Sequence, residues 1–119
     1  IDEAFELFSE KKADTLVSVV EARHPPSWFL EMDKDYYIKN AGFDLSGGIL
    51  CNRQANNVFY VPNGAIYILD YCLLKEQRTY YSNNTIGYVM SRTESVDIDT
   101  IDDFQYAEFL ILKAGNVHI

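Results

Sequence analysis

Two carboxylates near the end of the sequence are the residues best suited to chemistry. Asp97 and Asp99 alternate with apolar residues in 95–99, which we expect to form a short strand. Residues i and i+2 of a strand point to the same face, so both carboxylates would project together. Such a pair suits Mg²⁺, which commonly binds one or two carboxylates plus substrate phosphates. Alternatively, both acids only favour the N-terminus of the following helix, and the spacing alone does not decide between these interpretations.

An arginine and three tyrosines are further candidates. Arg53, followed by Gln54, lies in a segment rich in glycine and asparagine. Its guanidinium could bind a carboxylate or phosphate in bidentate fashion, although a lone arginine is more often a solvated surface charge. Tyr67, Tyr80 and Tyr81 could line a sugar pocket that combines apolar contact with hydrogen bonds. In a chain with nine tyrosines, three of them are more often part of a core or an interface.

The composition excludes several classes of protein. The chain has 119 residues, and 10 Lys and Arg against 18 Asp and Glu give a net charge of −8. This charge argues against binding to nucleic acid or to an anionic membrane. A hydrophobic fraction of 48% and an aromatic fraction of 14% argue against disorder. Because no apolar run approaches the roughly 20 residues of a membrane-spanning helix, we expect a folded, cytoplasmic protein.

Other reactive residues lack the partners that common sites require. His24 and His118 have no serine, cysteine or second histidine at a spacing that suits a nucleophilic triad. Cys51 and Cys72 are too few for a zinc site or a disulfide scaffold. Cys72 lies in an apolar stretch, so we expect it to be buried. The sequence has no glycine-rich phosphate-binding motif.

Helical and strand patterns alternate along the chain and must position these residues. A β-branched run at 15–20 is typical of a strand covered on both faces of an α/β sheet. A helix followed by such a strand is half of a doubly wound repeat, so we expect further sequence before residue 1. The remaining predicted elements are a hairpin over 29–39 turned at 33–35, a long loop over 40–57, strands over 63–69, 86–91 and 95–99, and helices over 70–77 and from 101.

The first and last helices have predicted apolar faces. Thr100 is a good N-cap for the last helix, and Asp102 and Asp103 suit its positive end. Apolar residues recur at helical spacing, so they share one face of each helix, and in the last helix we expect this face to be buried. These residues are Ile1, Ala4, Phe5 and Phe8 in the first helix and Ile101, Phe104, Ala107 and Ile111 in the last.

Three sequence blocks together resemble one family. They are Arg53-Gln54, the block Pro-Asn-Gly-Ala-Ile-Tyr-Ile at 62–68, and the block Ser-Val-Asp-Ile-Asp-Thr at 95–100. At these intervals the chain resembles the C-terminal half of N-acylneuraminate cytidylyltransferases, including relatives that act on legionaminic and pseudaminic acids. The resemblance extends from the strand at 15–20 to the last helix. It implies an α/β fold, namely part of a doubly wound, mainly parallel sheet with a protruding dimerisation extension over about 24–61.

The resemblance also implies a reaction and a set of site residues. In this family a nine-carbon α-keto sugar acid reacts with CTP to give a CMP-sugar and pyrophosphate, with Mg²⁺ as cofactor. Asp97 and Asp99 correspond to carboxylates that bind metal and substrate. Arg53, followed by Gln54 in the substrate-binding block, corresponds to an arginine that reaches the partner's site in a homodimer. Tyr67 and the pair Tyr80 and Tyr81 correspond to aromatic residues beside the sugar.

Two departures from the family pattern limit these expectations. The segment His-Pro-Pro-Ser at 24–27 has no lysine where some members have one that contacts the substrate. The glycine-rich CTP-binding half is absent, so we expect residues 1–119 to be one C-terminal region that is inactive alone. Two alternatives stay open: a stand-alone dimerisation or sugar-binding module, and a cytidylyltransferase for another keto-sugar acid (legionaminic, pseudaminic or 3-deoxy-octulosonic).

Overall fold

Helices and strands alternate along the chain largely as the sequence predicts. The computed structural model describes residues 1–41 and 58–115. A short 3-10 helix spans Pro26–Trp28. The α-helices are α1 (Asp2–Lys11), α2 (Tyr71–Gln77) and α3 (Ile101–Gly115), and the strands are β1 (Thr15–Glu21), β2 (Leu30–Met32), β3 (Ile38–Asn40), β4 (Tyr60–Leu69) and β5 (Thr85–Met90).

The larger sheet has the strand order β4–β1–β5. Strands β1 and β5 are parallel, with Thr15 opposite Thr85 and Val20 opposite Met90. Strand β4 runs antiparallel to β1, because Asp70 N donates to Asp14 O (3.0 Å) near one end of the pair. Further along, Ile66 N donates to the hydroxyl of Ser18 (2.8 Å). The α/β class is therefore confirmed, and the described sheet is mixed rather than mainly parallel.

The core of the described residues is centred on β1. Thr15, Leu16, Val17 and Ser18 are all buried, as is Ala4 of α1. A strand between two others has no free edge, and burial of consecutive residues shows that both of its faces are covered here. The predicted doubly covered strand is thus confirmed. The two buried threonine and serine hydroxyls both have partners, since Thr15 Oγ1 donates to Thr85 Oγ1 (2.7 Å) and Ser18 binds β4.

The predicted burial of the apolar face of α3 is wrong, and the apolar face of α1 is also largely exposed. In α1 only Ala4 is buried, and Phe5 is 55% exposed. Helix α3 has no buried residue, and Phe104 and Ile111 are 54% and 70% exposed. A helical pattern identifies the apolar side, but burial also requires a neighbouring element to cover that side. Among residues 1–41 and 58–115, no element covers these faces fully.

The predicted hairpin is confirmed. Strands β2 and β3 pair in antiparallel register, with Met32 opposite Ile38. The carboxylate of Asp33 shapes the turn, since its Oδ1 accepts from Asp35 N (2.8 Å) and Tyr37 N (3.0 Å). Tyr36 adopts φ 72°, a left-handed conformation that the turn requires.

The chain divides into two compact units, one of Ile1–Val20 with Pro62–Ile119 and the other of Glu21–Val61. The hairpin belongs to the second unit. That residues 24–61 act as a dimerisation extension stays a prediction. No helix of the described residues is long and apolar enough to cross a membrane.

Helix α2 begins at a side-chain cap. The carboxylate of Asp70 accepts from Cys72 N (2.9 Å) and Leu73 N (3.1 Å). Cys72 itself is exposed, so its predicted burial is wrong. The apolar stretch that predicted burial lies in a short helix with no buried residue.

We expect Asp70→Ala to lower the free energy of unfolding by about 0.5–2 kcal/mol, because two backbone N–H groups lose their acceptor. Urea denaturation followed by circular dichroism measures this loss. Asp70→Asn is the matched control, since an asparagine also caps helices well and should lose much less. Equal losses in the two variants would contradict a capping role for Asp70.

Candidate active site

The structure brings the three predicted tyrosines together. The rings of Tyr67 and Tyr80 stack, with centroids 4.8 Å apart and an interplanar angle of 29°. Tyr81 meets Tyr80 edge to face at 6.4 Å and 80°. The three residues are 40%, 44% and 54% exposed in sequence order. They therefore form a surface cluster of aromatic rings, not part of the buried core, and a ligand can reach it.

Side-chain hydrogen bonds fix the loop that carries Tyr80 and Tyr81. The hydroxyl of Thr85, at the start of β5, accepts from Ser82 N (2.7 Å). Asn84 Nδ2 donates to Lys12 O (2.9 Å), and Asn84 O accepts from Asp14 N (3.0 Å). These bonds hold the loop against the beginning of β1. The tyrosine cluster consequently lies near the end of the sheet where β5 begins.

Asp97 and Asp99 follow the other end of β5, and the predicted strand at 95–99 is wrong. After Met90 the chain makes a turn in which Ser95 N donates to Arg92 O (3.1 Å), and residues 95–99 are irregular. Alternation of apolar and acidic residues is a local signal, whereas a strand also needs a neighbour with which to pair. The argument that both carboxylates share a strand face therefore no longer applies. Both residues are exposed.

A chain of side-chain hydrogen bonds, here called the Ser18–Asn63–Ser95 relay, joins three parts of the fold. The fully buried Ser18 donates to Asn63 Oδ1 (2.5 Å). Asn63 Nδ2 donates to Ser95 Oγ (2.9 Å), and Ser95 Oγ donates to Ser91 O (2.6 Å). The relay therefore connects the central strand β1, through β4, to the segment that carries the two acids. Its three members were not predicted as site residues.

The sequence contains a partial signal for this relay. Asn63 and Gly64 form an Asn-Gly pair inside a strand pattern, which is typical of a bulge. Gly64 does adopt φ 75°, and a Cβ at this position would meet nothing within 4 Å, so the conformation rather than space favours glycine. Asn63 Oδ1 also accepts from Ala65 N (3.1 Å). No local pattern, however, pairs Asn63 with Ser18 or Ser95.

The start of α3 is capped by Thr100 and Asp103, which confirms Thr100 as N-cap. Thr100 Oγ1 accepts from Asp103 N (3.1 Å). In return, Asp103 Oδ2 accepts from Asp99 N and Thr100 N, both at 3.0 Å. Hydrogen bonds from the backbone of Asp99, then from the side chain and backbone of Thr100, lower the pKa of Asp103. The side-chain hydrogen bonds at the start of α3 are thus made by Thr100 and Asp103, not by the carboxylates of Asp97 and Asp99.

The carboxylates of Asp97 and Asp99 fit Mg²⁺ only if water and substrate phosphates supply the other ligands. Within residues 1–41 and 58–115, no group of three or more His, Cys, Asp or Glu residues could hold a metal ion. Mg²⁺ typically uses one or two carboxylates and completes its shell with water and substrate phosphates. The exposed pair Asp97 and Asp99 suits that arrangement. Arg53 and Gln54 lie outside the described residues, and their roles stay predictions.

Known proteins resemble this chain over most of its length. It is 34% identical over 105 residues to an N-acylneuraminate cytidylyltransferase of Streptococcus agalactiae, covering 87% of the chain and 24% of that relative. A post-translational flagellin modification protein B of Campylobacter coli is 30% identical over 112 residues, which is 93% of the chain and 46% of the relative. A CMP-N,N'-diacetyllegionaminic acid synthase of Campylobacter jejuni is 32% identical over 97 residues, covering 81% and 39% respectively. No protein-family model matches the chain.

These comparisons confirm the predicted resemblance at the level of the family. The chain is homologous to the N-acylneuraminate cytidylyltransferases and to related cytidylyltransferases of sugar acids. It spans about a quarter of the length of the Streptococcus relatives and less than half of the Campylobacter ones.

The lowered pKa of Asp103 predicts a pH dependence of stability. The folded pKa lies below the ordinary value of 3.8, so the ionised side chain stabilises the folded state above that value. This contribution disappears as the pH falls from about 3.8 through the lower folded pKa. We therefore expect the stability difference between the parent chain and Asp103→Asn to shrink over that range in urea titrations at several pH values.

Asp102→Asn is the matched control for this prediction. It removes the same charge from the same helical turn but leaves the capping carboxylate in place. A pH profile of Asp102→Asn that is identical to that of Asp103→Asn would show that general charge, not the cap, causes the effect.

Proposed function

We propose that the chain is the C-terminal part of a nucleotidyltransferase that activates a nonulosonic (sialic-type) acid with CTP. The observation that supports this most is 34% identity over 87% of the chain to N-acylneuraminate cytidylyltransferase. In this reaction the anomeric hydroxyl of the sugar attacks the α-phosphate of CTP. The bond from that phosphorus to the oxygen shared with the β-phosphate breaks, pyrophosphate leaves, and the proton of the hydroxyl is released to solvent.

In this proposal Asp97 and Asp99 bind Mg²⁺ together with the substrate phosphates. A bound Mg²⁺ neutralises charge that develops on the transferring phosphate. The two acids are suited to this role because they are exposed and because Asp103 caps α3 in their place. Their two negative charges would attract the Mg²⁺ that binds the triphosphate.

In this proposal Tyr67, Tyr80 and Tyr81 bind the sugar acid at the end of the sheet where β5 begins, whereas Asp97 and Asp99 lie beyond the other end of β5. Partly exposed aromatic rings can pack against the C–H faces of a sugar, while their phenol groups hydrogen-bond to its hydroxyls. The rings already contact one another, one pair stacked and one pair edge to face, without a bound sugar. The relatives are named for N-acylneuraminate and for N,N'-diacetyllegionaminic acid, so we propose a nine-carbon sugar acid of this class.

We also propose that the complete enzyme is a homodimer and that the unit Glu21–Val61 contributes to its interface. This unit exposes Trp28, Leu30, Met32 and Ile38. A two-stranded hairpin is at best marginally stable by itself, and exposed apolar patches are typical of protein interfaces. By the family resemblance, Arg53 would then reach the partner's site.

The function is tested on the complete protein encoded by the reading frame that contains residues 1–119. We expect this protein to form a CMP-sugar and pyrophosphate from CTP, Mg²⁺ and either N-acetylneuraminic or N,N'-diacetyllegionaminic acid. The 119-residue chain alone should be inactive, because it carries no motif that binds the triphosphate. Turnover by the 119-residue chain would contradict the fragment interpretation. A frame that begins near Ile1 and encodes an inactive protein would favour a stand-alone binding module.

In the complete protein, Asp97→Asn and Asp99→Asn should each lower kcat by about 100-fold or more. The reason is that metal stabilisation of transition-state charge is worth several kcal/mol, and about 1.4 kcal/mol corresponds to a factor of ten. Pyrophosphate release at saturating Mg²⁺ measures the loss. Asp102→Asn is the control, since it removes a nearby acid without altering the proposed ligands. Equal activity of all three variants would exclude Asp97 and Asp99 as metal ligands.

A further inference from the structure

We propose that the Ser18–Asn63–Ser95 relay positions Asp97 and Asp99 for the reaction. This inference rests on the proposed function. Residues 95–99 are not in a strand, so no backbone pairing with a neighbouring strand holds them in place. We infer that side-chain hydrogen bonds outside the site hold them instead. Ser18, Asn63 and Ser95 are positioning residues in this scheme, since none of them touches a reacting atom.

The relay starts from a hydroxyl that has no access to water. Ser18 is fully buried, and its oxygen accepts from Ile66 N (2.8 Å) while its proton goes to Asn63 Oδ1 (2.5 Å). Asn63 Oδ1 accepts a second bond from Ala65 N. Because Ser18 Oγ and Ala65 N both donate to Asn63 Oδ1, the side-chain amide of Asn63 has a single orientation that satisfies both bonds. The donating nitrogen of Asn63 must therefore face away from β1.

The side-chain nitrogen of Asn63, oriented in this way, binds Ser95. It donates to Ser95 Oγ (2.9 Å) and lies 3.4 Å from the sulfur of Met90 at the end of β5. Ser95 Oγ uses its single proton on Ser91 O (2.6 Å). One hydroxyl thus closes the turn after β5 and ties that turn to β4. These two bonds, together with the bond from Ser95 N to Arg92 O (3.1 Å), hold Ser95 in position relative to the sheet.

A second anchor holds the other end of the same segment. Asp103 Oδ2 accepts from the backbone N–H of Asp99 and of Thr100. Only residues 96–98 lie between the two anchors. Asp97 is therefore on a short span fixed at both ends, and Asp99 is at the second anchor. Loss of the relay would break the connection from Ser95 to β4 and leave the backbone bond from Ser95 N to Arg92 O, so the acids would stay attached to α3 but be held less firmly relative to the sheet.

Ser95→Ala separates this role from general stability. It removes the relay at the end nearest to the acids, whereas Ser18→Ala would leave the N–H of Ile66 without its acceptor in the core. Residues that orient metal ligands typically contribute 10–100-fold to metal affinity. In the complete protein we expect Ser95→Ala to raise the Mg²⁺ concentration for half-maximal activity by about tenfold. The KM values for CTP and for the sugar acid should change much less.

A second measurement does not depend on activity. In the ¹⁵N-labelled complete protein, the order parameters of the backbone amides of 96–98 should be about 0.85 and fall below about 0.6 in Ser95→Ala. Amides of β1 and β5 should not change. Ser95→Thr keeps the hydroxyl and should restore both the order parameters and the Mg²⁺ dependence. Thr93→Val removes a different side-chain hydrogen bond of the same turn, between Thr93 Oγ1 and Ser91 Oγ (3.1 Å), and is the matched control that should behave like the parent.

The outcomes separate the two proposals. A complete protein without cytidylyltransferase activity would overturn the proposed function and with it the catalytic consequence of the relay. An active protein in which Ser95→Ala leaves the order parameters unchanged would overturn the relay as an anchor. An equal rise of the Mg²⁺ concentration for half-maximal activity and of the KM values for CTP and the sugar acid would also overturn it, because general damage to the site has that effect.

Discussion

The need to satisfy one buried hydroxyl shapes much of this fold. Ser18 lies in the central strand β1, where an unpaired hydroxyl would cost about 1–3 kcal/mol. Its partners are Ile66 N and Asn63 Oδ1, both from β4, and the second of these requires the side chain of a strand residue to turn toward β1. The left-handed conformation of Gly64 directly follows Asn63. Through Asn63, this pairing is connected both to the left-handed conformation of Gly64 in β4 and to the position of Ser95.

Strand β1 is the common reference for the two parts of the candidate site. The loop of the tyrosine cluster is held to the beginning of β1 through Asp14 and Thr85, and Thr85 also pairs with Thr15. The acidic segment is held to the middle of β1 through Asn63. The tyrosine loop precedes β5 and the acidic segment follows it, yet hydrogen bonds connect both to β1. A shift of β1 would therefore displace the proposed sugar-binding and metal-binding groups together.

Local patterns predicted the elements whose causes are local. The β-branched run predicted β1, the acidic turn at 33–35 predicted the hairpin, and Thr100 predicted the start of α3. The strand at 95–99 was wrong because alternation gives the face of each side chain but not the neighbour that pairs with it. Periodicity grouped the apolar residues of α1 and α3 but did not say what covers them, and Phe104 and Ile111 of α3 are exposed. The relay joins residues 77 positions apart in the chain, between Ser18 and Ser95, and such a pairing leaves no local trace.

The charge of −8 has a specific structural consequence near α3. Four carboxylates lie at 97, 99, 102 and 103, where their mutual repulsion would oppose folding of the segment. One of them, Asp103, is stabilised by backbone N–H groups that also begin the helix, and its lowered pKa reflects this. The same bonds that stabilise Asp103 fix the backbone of Asp99. The same hydrogen bonds thus cap α3 and place a proposed metal ligand. Because Asp103 makes these bonds, the charges of Asp97 and Asp99 stay available for a cation.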